Sequence, residues 1–494
     1  MSQNNRINFL LFILFFSFCA ARAQEKTFIK EYTYRASEMD SKASCRAISI
    51  SQLRSALLNE IGVYVESESI LKTSDVGGKF AQDFIENIAT ISAGITKLEV
   101  LEEKWSGETY WMKASITIDK KNLEESLKQL VVDRQKVKEL ETLKQQLNEA
   151  NKKLEALNSE LKTTKSESQK SAIARIYNSE INELQSVDYF LSGKAKFKAG
   201  EFQQAVLDFT KSIDINQTNS DVYFSRAEAR LKLNDFNRAL LDLNYAIYLS
   251  PSKWYYYFER GGAKDHLKDF HGAISDFDRS IEILDKAEDY PLHFVDYDST
   301  IDYVFQKDGT IAGIYFLRAQ DKYAIEDFEG AIKDLNNAAS YDAKFTKSAV
   351  VYWWRGNAKM GMKDFSGAIL EFNKAIELYP EDADSYFRRG RAKLILEDIN
   401  QAITDFNSAI AINHNKEDFY FYRGLAKALL NDFRGGILDL EKVIEINPKN
   451  ANAYEIRGEY KHTILDNYGA CSDFKKAYEL GNTDAYEAIK KYCK

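Results

Sequence analysis

Proline is nearly missing from this sequence, with four in 494 residues beside 23 glycines. So few turn formers argue against a β-sandwich or a disordered chain and for helices. Cysteine is as sparse, at four, with no CxxC pair, and the five histidines (His266, His271, His293, His414, His462) show no metal-ligand spacing. GxSxG, P-loop, HExxH and GxGxxG patterns are all lacking. The expectation is a protein that is not an enzyme and uses no metal or cofactor. Charge of one sign does not dominate: the formal net charge is −8, which gives no bulk drive toward nucleic acid or anionic lipid.

Long apolar runs are missing too, except at the start. Phe9–Ala21 follows Arg6 and precedes Ala21-Arg22-Ala23. A positive n-region, a short apolar stretch and a small-x-small site read as a secretory signal, residues 1–23, cleaved before Gln24. Without another run of about 20 apolar residues, no membrane span is expected after cleavage. An exported chain meets an oxidising compartment. Cys471 and Cys493 lie near each other at the C-terminus, and two readings stay open: a disulfide, or two small buried side chains.

Residues 24–120 read as a small α+β domain. Thr109–Asp119 alternates, with Tyr110, Met112, Ala114, Ile116 and Ile118 on one face, which is the pattern of a half-buried strand. A turn at 106–108 leads back to a partner strand around Ile95–Lys104. Ser37–Ile61 has helical spacing, and a shorter helix is expected over Lys79–Ile91. The expected order is strand, helix, strand, helix, hairpin. The phrases LRSALLNEIGVYVES, ISAGI and VLEEKW–TYWMKASI resemble the N-terminal envelope domain of flagellar assembly protein T, which implies an envelope location.

Residues 121–171 change pattern. Leu140, Leu147, Leu154 and Leu161 sit seven apart, with Leu143, Ala150 and Leu157 interleaved. These are a and d positions of a coiled coil, and a homodimer through them is the expectation. The alternative is a helix folded back onto Ile173–Leu184. KTTKSESQKS at 162–171 reads as a hinge, and 172–185 as a linker helix.

From Ser186 one phrase recurs: YFLSGKAK at Tyr189, YFSRAEAR at Tyr223, YFERGGAK at Tyr257, YFLRAQDK at Tyr315, YWWRGNAK at Tyr352, YFRRGRAK at Tyr386, YFYRGLAK at Tyr420 and YEIRGEYK at Tyr454. A fixed period of about 34 residues is the mark of a repeat array. Eight repeats follow, at 186–219, 220–253, 254–287, 312–345, 349–382, 383–416, 417–450 and 451–484. The eighth residue of each is Gly or Ala, and so is the twentieth, so two helices of a hairpin are expected to approach there. Phe209, Phe277, Phe372, Phe406 and Phe474 recur at position 24, and an acid at position 16 opens each second helix as a cap. The array, 186–484 with an insertion at 288–311, resembles tetratricopeptide repeats. The resemblance implies a right-handed α-solenoid with a concave groove, closed by a capping helix over 485–494.

Position 7 carries Arg226, Arg260, Arg318, Arg355, Arg389, Arg423 and Arg457. Position 11 is basic throughout. Position 23 in the second helix is acidic, as Asp242, Asp276, Asp334, Glu371, Asp405, Asp439 and Asp473 in the same seven repeats. Matching acids make a structural ion-pair ladder the leading reading, over a cationic track for an anionic ligand. Position 5 is Phe190, Phe224, Phe258, Phe316, Trp353, Phe387 and Phe421. As candidate groove residues they would form an apolar stripe for a peptide; otherwise each ring packs against the next repeat. The insertion is acidic and aromatic, either a partner-binding loop or a surface excursion.

The function expected is an exported, non-enzymatic scaffold that binds a peptide or protein client in the groove, in the periplasm or cell envelope. The alternative makes the N-terminal domain the recognition module, for cell-wall glycan or a small ligand, with the repeats only assembling it.

Overall fold

The computed structural model describes residues 25–36, 40–67, 98–119, 149–150, 152–286 and 307–493. The signal segment, the Lys79–Ile91 helix, Leu140, Leu143 and Leu147 of the heptad stripe, and 288–306 of the insertion lie outside them. The chain divides into two compact units, 1–307 and 308–494.

The first unit opens with three strands, β1 (Glu25–Arg35), β2 (Leu98–Trp105) and β3 (Thr109–Asp119), and one helix, α1 (Lys42–Ser67). The sheet is antiparallel in the order β1-β3-β2. Gly107, at φ +95°, makes the tight turn from β2 to β3 that a side chain would strain. The alternating face of β3 is buried against Cys45, Leu53, Leu57 and Ile61 of α1. Helix α1 starts five residues later than its periodicity suggested. Ser41 and Ser44 cap it reciprocally, the Ser44 N–H donating to Ser41 Oγ at 3.1 Å and the Ser41 N–H to Ser44 Oγ at 2.9 Å.

The heptad stripe is covered by its own chain where it is described. Helix α2 (152–163) turns at 164–166 and runs back along α3 (Glu167–Lys198). Ala150, Leu154, Leu157 and Leu161 are buried with Ile173, Tyr177, Ile181 and Leu184 of α3 and with Ile48. The folded-back helix is therefore the arrangement observed for the described part of the stripe. The sheet domain docks on the same hairpin. Tyr177 donates to Asp40 Oδ1 at 2.7 Å, Tyr34 to Asp40 Oδ2 at 3.1 Å, and Arg54 of α1 reaches Asp188 at 2.5 Å. The linker helix and the first helix of repeat 1 are one helix, α3, since neither Gly nor Pro interrupts 172–192.

The rest is helix hairpins, each packed on the next within its unit. Repeats 1–3 pair α3 with α4 (Phe202–Ile215), α5 (Ser220–Lys232) with α6 (Phe236–Leu249), and α7 (Trp254–His266) with α8 (Phe270–Lys286). The second unit holds α9 (Lys307–Ala324), α10 (Phe328–Tyr341), the single turn α11 (Ala343–Thr346), and four further pairs: α12 (Ala349–Gly361) with α13 (Phe365–Leu378), α14 (Ala383–Ile395) with α15 (Ile399–Ile412), α16 (Glu417–Leu429) with α17 (Phe433–Ile446), and α18 (Ala451–Thr463) with α19 (Asn467–Glu479). No described helix is long and apolar enough to cross a membrane.

Caps at position 16 depend on the residue three further on. Asp269, Asp327, Asp364, Asp432 and Asp466 each accept from a glycine N–H at 2.9–3.0 Å. A Cβ on those glycines would lie 2.0–2.2 Å from the carboxylate oxygen. Where Arg238 replaces glycine the bond lengthens to 3.4 Å, and Asp398, followed by Gln401, makes none. The capping expected of every acid therefore holds best where the backbone is bare.

The last helix, α20 (Ala485–Tyr492), lays the Tyr492 ring over Phe474 and His462. A Cys471–Cys493 disulfide, Cα–Cα 5.5 Å, holds it down across a separation of 22 residues. Closing a loop of that size is worth about 3 kcal/mol through the unfolded state. Cys493→Ser is expected to lower the thermal midpoint, and wild type in reductant to match it. Equal midpoints in all three samples would mean the helix stays down unaided.

Candidate functional site

Each first helix presents two opposed faces, one on positions 4, 7 and 11 and the other on 2, 5, 6 and 9. The first is filled by the ladder. Arg226 reaches Asp242 at 2.7 Å, Arg260 Asp276 at 2.6 Å, Arg318 Asp334 at 2.6 Å and Arg355 Glu371 at 2.7 Å. Arg389 reaches Asp405 at 2.5 Å, Arg423 Asp439 at 2.6 Å and Arg457 Asp473 at 2.6 Å. The basic residue at position 11 takes the other carboxylate oxygen at 2.6–2.9 Å in these repeats. In repeat 1 Ser192 stands in for the arginine and donates to Asp208 at 2.6 Å, beside Lys196. All these acids are buried. Every cation of the ladder therefore has a carboxylate partner within its own hairpin.

Two partners of the ladder went unread in the sequence. Each arginine lies over the tyrosine three residues before it, at 4.9–5.7 Å, which explains why Tyr and Arg recur together. Five of the seven also reach back to position 25 of the preceding repeat. Arg260 donates to Asn244 at 2.8 Å, Arg355 to Asn336 at 3.1 Å, Arg389 to Asn373 and Arg423 to Asn407 at 2.7 Å, while Arg226 uses Thr210 at 3.1 Å. The recurring asparagine was the available signal. One guanidinium thus ties two helices of its own hairpin and the hairpin before.

The second face does not carry the expected aromatic stripe. Phe190, Phe224, Phe258, Phe316 and Phe387 are between 3% and 8% exposed. Phe224 packs on Tyr255 and Tyr256 of the next repeat, Phe387 on Phe419 and Tyr422, and Phe190 and Phe258 on the position-24 rings Phe209 and Phe277. Phe316 lies against Phe345. These five rings are core, within a hairpin or against the next one, so they are withdrawn as groove residues. Trp353 and Phe421 remain half-buried.

What this face offers in repeats 5–7 is mixed. Trp353 donates its Nε1–H to Asp384 at 2.8 Å, and Asp384 also accepts from Arg388 at 2.7 Å. The Arg388 guanidinium lies 5.0 Å over the Trp353 ring. Val350, one turn before, is 46% exposed. In the first unit the corresponding acid, Asp221, is already engaged by Lys253 at 2.5 Å and Tyr256 at 2.6 Å. Burial works against its charge, yet Lys253 holds its carboxyl below the ordinary value.

Comparison with known proteins agrees with the hairpin geometry. Two tetratricopeptide-repeat models match, at residues 349–382 and 371–404. No curated protein matches. Among solved structures, a crystal structure of MamA is 26% identical over 34% of this chain and 96% of its own, with a TM-score of 0.32. A tetratricopeptide repeat protein from Parabacteroides merdae is 17% identical over 56% and 98%, TM-score 0.40. The C-terminal part of a repeat protein from Cytophaga hutchinsonii is 17% identical over 54% and 98%, TM-score 0.43. Residues 349–404 thus match tetratricopeptide-repeat models, and the other hairpins resemble them in their helix pairing.

Proposed function

We propose that the chain is an exported, non-enzymatic interaction scaffold. It takes an extended peptide, or a partner's segment, along the face of positions 2, 5, 6 and 9 in repeats 5–7. The observation that carries this reading is the contrast between the two faces. On one, every cation is paired to a buried acid of its own hairpin, whereas the other keeps Val350, Trp353, Arg388 and Phe421 at least partly open. An aromatic with a polar handle beside an arginine is the residue mix that anchors interfaces. Export rests on the N-terminal segment, and the mass of protein recovered from the envelope should start at Gln24; a chain still starting at Met1 would end that part.

The test uses a display library of random 12-residue peptides selected on the mature chain. Peptides should enrich, and Trp353→Ala with Phe421→Ala should weaken them by at least tenfold, roughly 1.4 kcal/mol. Leu370→Ser with Leu438→Ser, exposed on the second helices, should leave them unchanged. Binders indifferent to the first pair and lost with the second would overturn the choice of face. Circular dichroism checks that each variant folds.

A further inference from the structure

The turns inside the hairpins carry a pattern that neither the ladder nor the opposite face uses. Position 13 closes the first helix, and in repeats 1–3 it is Lys198, Lys232 and His266. In repeats 6 and 7 it is Ile395 and Leu429, each exposed and each followed by an exposed leucine, Leu396 and Leu430. In repeat 8 Leu465 at position 15 and Tyr468 at position 18 are 82% and 90% exposed, the two most exposed large apolar side chains among the described residues. The seven other repeats have glycine or a polar residue at both positions. Leu465 sits on left-handed backbone, φ +66°, where a Cβ is disfavoured, so the turn itself does not call for leucine. These hairpins pack on one another within the second unit, which sets the three turns side by side as one apolar edge. Carboxylates run along it. Over positions 13–18 of repeats 6–8, Glu397, Asp398, Asp432 and Asp466 stand against a single cation, Arg434. Asp398 makes no cap hydrogen bond, and the nearest base in sequence, Lys393, is held by Asp405.

We propose that this edge of repeats 6–8 docks a basic amphipathic helix of a partner protein. The surface is separate from the face of positions 2, 5, 6 and 9, and the inference does not rest on the reading of that face. An exposed apolar strip across three repeats marks an interaction surface. Its charge selects the occupant. The four carboxylates repel anionic lipid headgroups, and a second copy would bring the same four acids against them. Lysines and arginines flanking an apolar seam complement both features. Backbone chemistry selects the form. The N–H groups of Leu396, Glu397 and Asp398 are spent on the carbonyls of Ala392, Leu394 and Lys393 at 2.9–3.2 Å, and those of Leu430, Asn431 and Asp432 are spent in the same way. These turns keep no backbone donor for an added strand, so contact runs through side chains, and a helix brings its own backbone already satisfied. With helices packing roughly 8–10 Å apart, three turns span about 20 Å, which a helix of about 14 residues covers.

The probe is a phage-displayed library of helices with a fixed leucine seam and flanking positions that encode lysine or glutamate, selected on the mature chain. Lysine should enrich over glutamate. The best helix, made as a labelled peptide and followed by fluorescence anisotropy, should bind Leu429→Ser with Leu465→Ser more weakly by about tenfold or more. Glu397→Gln with Asp398→Asn should weaken it several-fold and flatten its salt dependence. Leu207→Ser with Leu241→Ser, which removes two exposed leucines from the first unit, should bind it like wild type. Circular dichroism checks that each variant folds. A library without charge preference, one from which nothing enriches, or a helix whose binding survives the change at Leu429 and Leu465 would each overturn the proposal. So would vesicles of phosphatidylethanolamine and phosphatidylglycerol that sediment wild type but not that variant, or a dimer in sedimentation velocity that the same change dissolves, since either puts another occupant on the edge.

Discussion

Asp405→Asn is expected to destabilise the second unit by about 3–5 kcal/mol, the cost of breaking a buried charge network from one side. Asp405 is buried and accepts from Arg389 Nε at 2.9 Å and Nη2 at 2.5 Å, while Lys393 approaches to 2.9 Å. The amide removes the only formal negative charge of that trio and leaves two cations facing each other. Arg389 also donates to Asn373 of the preceding repeat at 2.7 Å, so the loss loosens the contact between repeats 5 and 6. Urea unfolding of the mature chain, followed by circular dichroism, should show an early transition that wild type lacks, because repeat arrays lose cooperativity at a weakened interface. The triple change Arg389→Met, Lys393→Met, Asp405→Leu is expected to be neutral or stabilising, since the desolvation cost leaves with the charges. If Asp405→Asn unfolds with wild type, the ladder is ornament and the hairpins hold by apolar packing alone.

The period, the hairpins and the pairing of Arg389 with Asp405 are legible in the sequence because each follows from spacing. Small residues at positions 8 and 20 permit close helices, and an acid at 23 meets a base at 7 whatever lies outside the hairpin. The position-5 rings were ambiguous for a physical reason. An apolar side chain at helical spacing looks the same whether it faces a groove or the next repeat. What decides is the neighbour, Tyr255 and Tyr256 for Phe224, or Phe419 and Tyr422 for Phe387. The heptad stripe was ambiguous in the same way. Leu154, Leu157 and Leu161 demand a cover, and spacing does not say whether a second copy or α3 supplies it.

Phe372→Ala is expected to cost about 3–5 kcal/mol by opening a cavity between α12 and α13, and the residue facing it decides how the site can be repaired. The ring fits because position 8 opposite is bare. A Cβ on Gly356 would lie 2.6–2.9 Å from three ring atoms of Phe372. The same close approach links Gly193 to Phe209, Gly261 to Phe277, Gly390 to Phe406 and Gly458 to Phe474. Where position 8 is alanine, as at Ala227 and Ala319, position 24 is leucine, Leu243 and Leu335. Volume is exchanged across the helix pair. Gly356→Ala alone should therefore cost about 1–3 kcal/mol through overpacking, although alanine gains up to about 1 kcal/mol of helix propensity. With Phe372→Leu added, the pair should return to within about 1 kcal/mol of wild type, because it recreates the arrangement of repeats 2 and 4. Gly424 has leucine, Leu440, at position 24, and the atoms nearest to a Cβ there are Asp439 Cβ and Gly436 O at 3.3 Å rather than a ring, so Gly424→Ala should be tolerated better than Gly356→Ala. The double-mutant cycle at 356 and 372 reads the coupling directly. Additivity within about 0.5 kcal/mol would mean that the helices relax apart to admit the methyl group, and that glycine at position 8 answers to something other than the ring.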